Sequence, residues 1–367
     1  MLVASVLGAR PQFIKASMVS RALAASGIRE YMIHTGQHYD DLMSDVFFRE
    51  LGLRAADCNL GIGSGSHGQQ TGRMISAIEP VLRDVRPDRV LVYGDTNSTL
   101  AAALAAAKLR IPVDHVEAGV RSFDRDMPEE LNRILTDQLA DLLLCPTQTA
   151  VANLAREGLT AGARVVGDVM LDLALECEPR AASIALPSGL REGEYFLATI
   201  HRAENTDDVE RLARLMHGLE TIARHIAPVL LPAHPRLQSR LEQYSHSADG
   251  VRLVPPVGYV ESQALIRRAR GVITDSGGIQ KEALFHGIPC VTLRPTTEWV
   301  ESVDARMNTL VDDDIDALIG VAADAHGRVP VAADVRHLFG DGRAASAIAS
   351  AILEAGVSRR RWTKSSR

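Results

Sequence analysis

Residues 89–109 read RVLVYGDTNSTLAAALAAAKL, and this stretch decides the fold. The apolar run Arg89–Tyr93 is typical of a buried strand, and the Ala-rich residues that follow predict a helix over Thr96–Leu109. The short turn between them joins the two into one strand–helix unit. A chain built from such units predicts a parallel sheet that is covered by helices on both faces.

The same alternation continues in both directions from this unit. In the first half it predicts strands at Leu2–Leu7, Glu30–His34, Val113–Val116 and Leu142–Cys145, helices at Pro11–Ala25, Gln70–Val85 and Pro128–Leu139, and a further element at Tyr39–Leu51. After Gly167 it restarts with strands at Tyr195–Ile200, Val229–Pro232, Val251–Val254, Gly271–Thr274 and Cys290–Leu293, and helices at Val209–Arg224, Pro235–Tyr244 and Gly342–Glu354. We therefore expect two α/β units of similar size, joined near Gly167–Pro187.

Composition narrows the class of protein. The chain has 367 residues, of which 46% are apolar, and this is enough material for two buried cores. Its net charge is -6, with five of the positive charges in the last nine residues, so the rest of the chain is acidic and nucleic acid is not expected as a partner. The N-terminal strand lacks a basic leader, and no run of about 18 apolar residues occurs. We expect a cytoplasmic protein without a membrane partner.

Cysteine spacing also limits the chemistry. The four cysteines are scattered along the chain at positions 58, 145, 177 and 290, with no CxxC pair. This spacing does not indicate a zinc site, and we predict no metal in the protein.

Charged residues follow the predicted strands of the first half. Arg10 comes directly after the first strand, and Lys15 lies one turn into the next helix, where two cations suit an anionic group. A solvated pair on an exposed turn would give the same pattern. Asp95 follows the strand Arg89–Tyr93, where it is either a functional acid or a helix N-cap, and Glu117 follows the next strand.

Further acids open the helix Pro128–Leu139. Glu129 and Glu130 stand in its first turn, where acidic residues ordinarily complement the helix dipole. Because parallel strands place their carboxyl ends at one edge of the sheet, we expect three acidic groups to converge there beside Arg10 and Lys15.

Two turns carry the candidate residues of the second half. His201 ends the strand Tyr195–Ile200, where it is either a structural residue or a member of a site. Residues 274–283 read TDSGGIQKEA, in which the backbone N–H groups of Ser276, Gly277 and Gly278 suit an anion and Glu282 suits ribose hydroxyls. This turn is neither GxGxxG nor a P-loop, which weakens dinucleotide redox chemistry and nucleotide hydrolysis.

Taken in order, nine segments resemble the non-hydrolysing UDP-N-acetylglucosamine 2-epimerase family. They are GARPQFIK (8–15), GQHYD (36–40), VYGDTNST (92–99), HVEAGVRS (115–122), MPEELNR (127–133), VGDVMLD (166–172), TIHRAEN (199–205), PVGY (256–259) and TDSGGIQKEA (274–283). The resemblance implies a glycosyltransferase-B-like α/β fold, in which two Rossmann-like domains face a cleft and a C-terminal helix packs back on the first domain. Members of the family are usually homodimers.

The resemblance also divides the chain into parts. Residues 1–167 would hold the sugar and the acid/base residues, and residues 168–341 would bind UDP. Residues 342–358 would form the returning helix, and residues 359–367 a basic tail that we expect to be disordered.

Carried over by position, the resemblance assigns the site. It makes the catalytic residues Asp95, Glu117, Glu129 and His201. It makes the substrate-binding residues Arg10, Lys15, Arg202, Ser276, Gly277, Gly278 and Glu282.

The implied reaction is the epimerisation of C2 in UDP-N-acetylglucosamine, which gives UDP-N-acetylmannosamine. The C2 proton is too weakly acidic for a bare carboxylate, so UDP leaves C1 first and a 2-acetamidoglucal forms. UDP then adds back, and a proton returns on the opposite face. This scheme requires no cofactor.

A second substrate and other activities are compatible with the same residues. The segments QHYD, GSHGQ and IHRAEN are also similar to those of relatives that epimerise UDP-2,3-diacetamido-2,3-dideoxyglucuronate. The carboxylate of that sugar would pair with Arg121, Arg125 or Lys15. A UDP-sugar glycosyltransferase would share the fold, and a hydrolytic relative or a nucleotide-sugar sensor would share the nucleotide turn. Members activated by their own substrate read QHRQ and RQT where this chain reads QHYD (37–40) and QQT (69–71), so an effector-binding Arg and Gln are missing.

Overall fold

The computed structural model describes residues 1–37, 50–244, 250–327 and 335–365. It divides the chain into two compact units. The first unit comprises Met1–Leu175 together with the segment from Phe339 onward, and the second comprises Glu176–Leu338. The boundary between Leu175 and Glu176 lies inside Gly167–Pro187, where the sequence predicts that the two units are joined. The predicted element at Tyr39–Leu51 lies, apart from its last two residues, outside the described ranges.

A seven-stranded parallel sheet forms the centre of the first unit. Its order is β3-β2-β1-β4-β5-β6-β7, and its strands are β1 (Leu2–Leu7), β2 (Arg29–His34), β3 (Cys58–Asn59), β4 (Arg89–Tyr93), β5 (Val113–Val116), β6 (Leu142–Cys145) and β7 (Ala163–Val165). The helices of this unit are α1 (Arg10–Ala25), α2 (His67–Val85), α3 (Asn97–Lys108), α4 (Pro128–Leu139), α5 (Gln148–Arg156) and α6 (Val169–Ser183), the last of which crosses into the second unit.

Both faces of this sheet are buried, which explains the continuous apolar runs in its strands. Successive side chains of a strand point to opposite faces, so Val90 and Val92 pack with α2 and α3 while Leu91 and Tyr93 pack with α1. The alanines of α3 are small, and they let this helix lie close against the sheet.

A six-stranded parallel sheet forms the centre of the second unit. Its order is β10-β9-β8-β11-β12-β13, and its strands are β8 (Phe196–Thr199), β9 (Val229–Pro232), β10 (Val251–Val254), β11 (Gly271–Thr274), β12 (Cys290–Thr292) and β13 (Asn308–Leu310). Its helices are α7 (Ala203–Thr206), α8 (Val209–His225), α9 (Pro235–Gln243), α10 (Tyr259–Arg268), α11 (Gly277–Phe285), α12 (Val300–Asp304) and α13 (Ile315–Gly327).

Each sheet reverses its strand order once. The reversal falls between β1 and β4 in the first unit and between β8 and β11 in the second. In open parallel sheets this is the place where the helices on the two faces leave room for a ligand at the carboxyl ends of the strands. A ligand is therefore expected at the turns that follow these four strands and the strands beside them.

The last helix, α14 (Ala344–Ser365), packs in the first unit. Ile348 and Ile352 are fully buried in the core that also contains side chains of α1. Both carboxylate oxygens of Asp172 accept hydrogen bonds at the start of this helix, from the backbone N–H groups of Ala344 (3.0 Å) and Ala345 (2.8 Å). Asp172, which lies on α6, thus caps the N-terminus of α14.

The predicted α/β class with two Rossmann-like sheets and a returning helix is confirmed. The disordered tail is a wrong prediction, because the backbone of α14 remains helical to Ser365. The sequence analysis missed β3, β7 and β13, which are edge strands of two or three residues and too short to form an apolar run. No helix in the described ranges combines the length and apolar character needed to cross a bilayer.

Candidate functional site

Lys15 and Glu117 form a close ion pair at the carboxyl edge of the first sheet. Lys15 Nζ donates to Glu117 Oε1 at 2.5 Å, and the two side chains are only 9% and 11% exposed. The alternative of a solvated Lys15 on an open turn is therefore wrong. The pair lines a small hollow together with Gly167 and Asp168 from the start of α6.

The backbone at Glu117 is in an uncommon conformation. Its φ is +73°, a left-handed value that a residue with a side chain adopts only when its surroundings hold it there. The turn after the neighbouring strand lies against the same pair, because a Cβ added to Gly94 would be 3.1 Å from Lys15 Nζ and 3.4 Å from Glu117 Oε1. Strain of this kind is concentrated at functional sites.

Asp95 follows Gly94, and two side chains of α4 hold it by hydrogen bonds. Arg133 Nη2 donates to Asp95 Oδ2 at 2.6 Å, and Asn132 Nδ2 donates to the backbone carbonyl of Asp95 at 2.8 Å. The helix after Asp95 is capped by Thr96, whose side chain accepts from the N–H of Thr99. The N-cap alternative for Asp95 is therefore wrong, and about a quarter of this carboxylate remains exposed.

The turn that carries Arg10 is fixed by Gln12. Gln12 Oε1 accepts from the N–H groups of Gly8 and Ala9, and its Nε2 donates to the Tyr93 carbonyl and the Thr99 hydroxyl. This buried amide joins the end of β1 to the end of β4, and it places half-buried Arg10 at the first position of α1.

Glu129 and Glu130 both stand in the first turn of α4. The resemblance assigns Glu129 to the site, but Glu130 is the buried one of the two. Glu129 is half-buried and has no hydrogen bond or ion pair with another described residue. Glu130 is 1% exposed, accepts from the backbone N–H groups of Ser122 and Phe123, and pairs with Arg133 at 2.8 Å. The structure therefore brings Lys15 and Glu117 together and leaves the predicted convergence of a third acid, Glu129, untested.

His201 stands at the switch point of the second sheet with a buried carboxylate behind it. His201 Nδ1 lies 2.9 Å from Asp275 Oδ1, and its side chain is 51% exposed, whereas Asp275 is fully buried. Asp275 also accepts from the backbone N–H groups of His201 and Arg202 and from Asn205 Nδ2. Burial by itself raises the pKa of Asp275, but His201 and these donors outweigh it and lower the pKa to about 2.

Asp275 is a residue that the sequence analysis quoted within TDSGG without assigning a role. Its signal is its place directly after β11, the strand that pairs with β8 before His201. Because this carboxylate is ionised, it accepts a hydrogen bond from Nδ1–H and leaves Nε2 of the half-exposed His201 ring for another partner.

The turn after Asp275 opens α11. The Ser276 side chain caps this helix by accepting from the N–H of Ile279. A Cβ at position 277 would lie 2.2 Å from Glu298 Oε1, so a larger residue than Gly277 would displace that side chain. A Cβ at position 278 would have the Ser276 hydroxyl as its neighbour, at an ordinary contact distance of 3.9 Å.

The remaining assigned residues flank this turn. Arg202 is the N-cap residue of α7, one position after His201, and its side chain is 19% exposed. Glu282 is buried on α11 one turn beyond the glycines. Next to it, Lys281 is also buried and lies 3.8 Å from the centre of the Trp299 ring. Among the described residues, no group of three or more His, Cys, Asp or Glu side chains is arranged to hold a metal ion.

These observations define a two-sheet α/β protein with paired acids and cations at the edge of one sheet and a glycine-containing, Ser-capped helix N-terminus at the edge of the other. The chain belongs to the UDP-N-acetylglucosamine 2-epimerase family, whose model matches residues 21–353. It is accordingly an isomerase.

Individual relatives are similar over nearly the whole chain. The UDP-2,3-diacetamido-2,3-dideoxy-D-glucuronate 2-epimerase of Pseudomonas aeruginosa is 49% identical over 96% of this chain and 100% of its own. The crystal structure of UDP-GlcNAc 2-epimerase from Methanocaldococcus jannaschii in complex with UDP-GlcNAc and UDP has a TM-score of 0.88 at 40% identity, over 96% and 100% of the two chains. The glycosyltransferase SsfS6 of a Streptomyces species, at 16% identity and a TM-score of 0.55 over 96% and 99%, shares the fold alone.

Proposed function

We propose that this protein epimerises C2 of a UDP-linked 2-acetamido sugar by eliminating UDP and adding it back, without an added cofactor. The observation that carries the proposal is the pairing of Lys15 with strained Glu117 next to the Gly94–Asp95 turn. A C2 inversion needs one group that removes a proton and another that returns one on the opposite face. Asp95 and Glu117 are two such groups on neighbouring strand ends, and a different cation holds each.

The first step is cleavage of the C1–O bond. The electron pair of this bond leaves with the β-phosphate of UDP, and C1 becomes positive. The N–H groups at the start of α11, together with Arg202, suit the negative charge of the departing diphosphate. Glu282 suits the ribose hydroxyls from the same helix. His201 Nε2 is the ring nitrogen left to face the substrate, because Nδ1–H donates to Asp275.

The second step is proton transfer at C2. The positive C1 acidifies the C2 proton, a carboxylate removes it, and the C2–H electron pair forms the C1–C2 double bond of a 2-acetamidoglucal. Reversal with protonation from the other face gives the manno configuration. We assign these two transfers to Asp95 and Glu117, and we assign Glu129 to stabilising positive charge at C1.

We propose UDP-N-acetylglucosamine as the substrate and the diacetamido uronate as the second candidate. The second candidate is supported by the 49% identical relative that bears its name. Its extra carboxylate needs a cation, and Arg121 is the wrong prediction for it, because Arg121 is 1% exposed and already binds Asp137 and Glu157. Lys15 is paired with Glu117, so exposed Arg125 is the cation left for this role.

Proton NMR in deuterated water tests the reaction and the substrate together. Each UDP-sugar is incubated separately with the full chain and no added cofactor. We expect deuterium at C2 and a manno-configured UDP product from one of them. Release of free sugar would indicate a hydrolytic enzyme. Tight UDP binding with no exchange from either sugar would contradict the proposal and favour a glycosyltransferase.

We further infer that the protein is a homodimer in the cytoplasm. The dimer is supported by α4, whose Leu131 and Leu135 are 41% and 49% exposed, while its buried residues are the polar set Glu130, Asn132, Arg133, Thr136 and Asp137. Such an outward apolar stripe on a helix is typical of a surface that another copy covers. The location is supported by the four cysteines, which all lie in the described ranges and form no disulfide.

A further inference from the structure

His115 lies on β5, two residues before Glu117, and it is completely buried. Each of its ring nitrogens faces one oxygen atom. Nδ1 lies 2.6 Å from Asp137 Oδ1, on α4, and Nε2 lies 2.7 Å from the carbonyl oxygen of Gly94, at the end of β4. A neutral imidazole carries one N–H only and would satisfy only one of these oxygens as a donor.

Both nitrogens must therefore donate. The Gly94 carbonyl can only accept, so Nε2 carries a proton. Asp137 is a carboxylate, because its other oxygen accepts from Arg121 Nη1 at 2.7 Å and from the N–H of Gly119 at 3.0 Å. Burial by itself raises the pKa of Asp137, but His115 and Arg121 outweigh it and lower the pKa. Nδ1 thus carries a proton as well.

The charges around the ring balance without solvent. His115 and Arg121 supply two positive charges, and Asp137 and Glu157 supply two negative ones. The Cys145 thiol on β6, which interacts with Asp137 and Arg121, stays neutral because burial raises its pKa to about 12. A buried charge is tolerated when it is paired and hydrogen-bonded in this way.

We propose that His115 donates from both ring nitrogens, as an imidazolium, and so positions the two carboxylate-bearing turns of the active site. This inference rests on the proposed function of Asp95 and Glu117. One ring nitrogen holds the carbonyl directly before Asp95. The other holds Asp137, which in turn holds the N–H of Gly119, two residues after Glu117. One ring therefore fixes the spacing of both acids, and it touches neither the acids nor the substrate.

The charge is tested by ¹⁵N NMR on the full chain labelled at histidine. We expect the His115 signals, identified by their loss in His115→Gln, to show protons on both ring nitrogens at neutral pH. A single ring proton at neutral pH would overturn the imidazolium. This readout does not depend on turnover, so it decides the charge even where neither UDP-sugar reacts and the proposed function fails.

Positioning is tested by the rate of C2 deuteration. In His115→Gln we expect the rate to fall about 100-fold, because displaced acids lose their alignment, while the affinity for UDP stays unchanged. His217→Gln, at an exposed histidine of α8, is the matched control and should react as the wild type does. An unchanged rate in folded His115→Gln would overturn the positioning role.

A second variant covers the case in which His115→Gln does not fold. Asp137→Asn keeps the size of the side chain and removes the carboxylate that requires the second ring proton. We expect a neutral His115 with a proton on Nε2 only, together with a slower C2 exchange. A neutral ring with wild-type exchange would show that the charge has no part in positioning.

Discussion

At the scale of residues, the two carboxylates at the first switch point differ in what holds them. Glu117 is paired with a lysine and strained, whereas Asp95 is paired with an arginine and more exposed. The Lys15 ammonium carries three rotatable donors, whereas the planar guanidinium of Arg133 binds Asp95 through one nitrogen and Glu130 through the other. The two acids are thus suited to different halves of one reaction.

The Asp95→Asn variant isolates the charge of the exposed acid. The amide oxygen still accepts from Arg133, but the side chain no longer accepts a proton, so we expect kcat to fall about 10²–10⁴-fold. UDP affinity, measured by calorimetry, should not change, because the nucleotide turn is elsewhere in the chain. Asp84→Asn, at an exposed position of α2, is the control. Lost UDP affinity would make Asp95 structural instead.

The Asp275→Asn variant keeps the His201 side chain but removes the carboxylate that orients its ring. Asn can still accept one of the backbone N–H bonds, but it no longer requires a proton on Nδ1 of His201. We expect kcat to fall about 10–100-fold and its pH profile to shift, because the imidazole loses its fixed tautomer. The exposed residue Asp324 gives the control Asp324→Asn. A pH profile that matches the wild type would remove Asp275 from the function of His201.

At the scale of elements, α14 depends on a carboxylate from another helix. Asp172 binds two N–H groups that have no partner within α14. We expect Asp172→Ala to lower the free energy of unfolding by about 1–2 kcal/mol, measured by urea denaturation, with Asp84→Ala as the exposed control. Equal stability of the two variants would mean that α14 is held by its apolar face alone.

The helix α4 gives the test of the dimer. A charge on its outward apolar face should separate two copies, because an unpaired carboxylate is costly to bury at an interface. We expect Leu135→Glu to have the mass of one chain in light scattering, where the wild type has the mass of two. Leu353→Glu, at an exposed leucine of α14, should behave as the wild type does. A dimeric Leu135→Glu would place the interface elsewhere.

At the scale of the whole molecule, stability in acid should depend on Asp275. Its pKa is lowered in the folded protein to about 2, so its ionised form stabilises the fold above about pH 4, and this contribution is lost as the pH falls towards 2. The shift corresponds to about 2 kcal/mol. We expect Asp275→Asn to be less stable than the wild type at pH 7 and the gap to narrow below pH 4. A gap independent of pH would contradict this pKa.

The sequence predicts strand ends better than it predicts the contacts that form there. Alternation placed Asp95, Glu117 and His201 at carboxyl edges, because parallel strands leave no other place for the residue that follows them. It could not choose between Glu129 and Glu130, because the rotation of α4 about its axis decides which one is buried. Asp275 was missed for a similar reason, since its partners come from a turn some seventy residues earlier.

The inverted polarity of α4 has a consequence for which substitutions this chain can accumulate. In an ordinary surface helix, the inward positions accept only apolar residues and the outward ones vary freely. In α4, the inward positions Glu130, Arg133 and Asp137 each have a specific charged partner. A mutational scan should therefore find these polar positions as intolerant as a hydrophobic core, and exchange by an apolar residue of equal size should be the most damaging change at each.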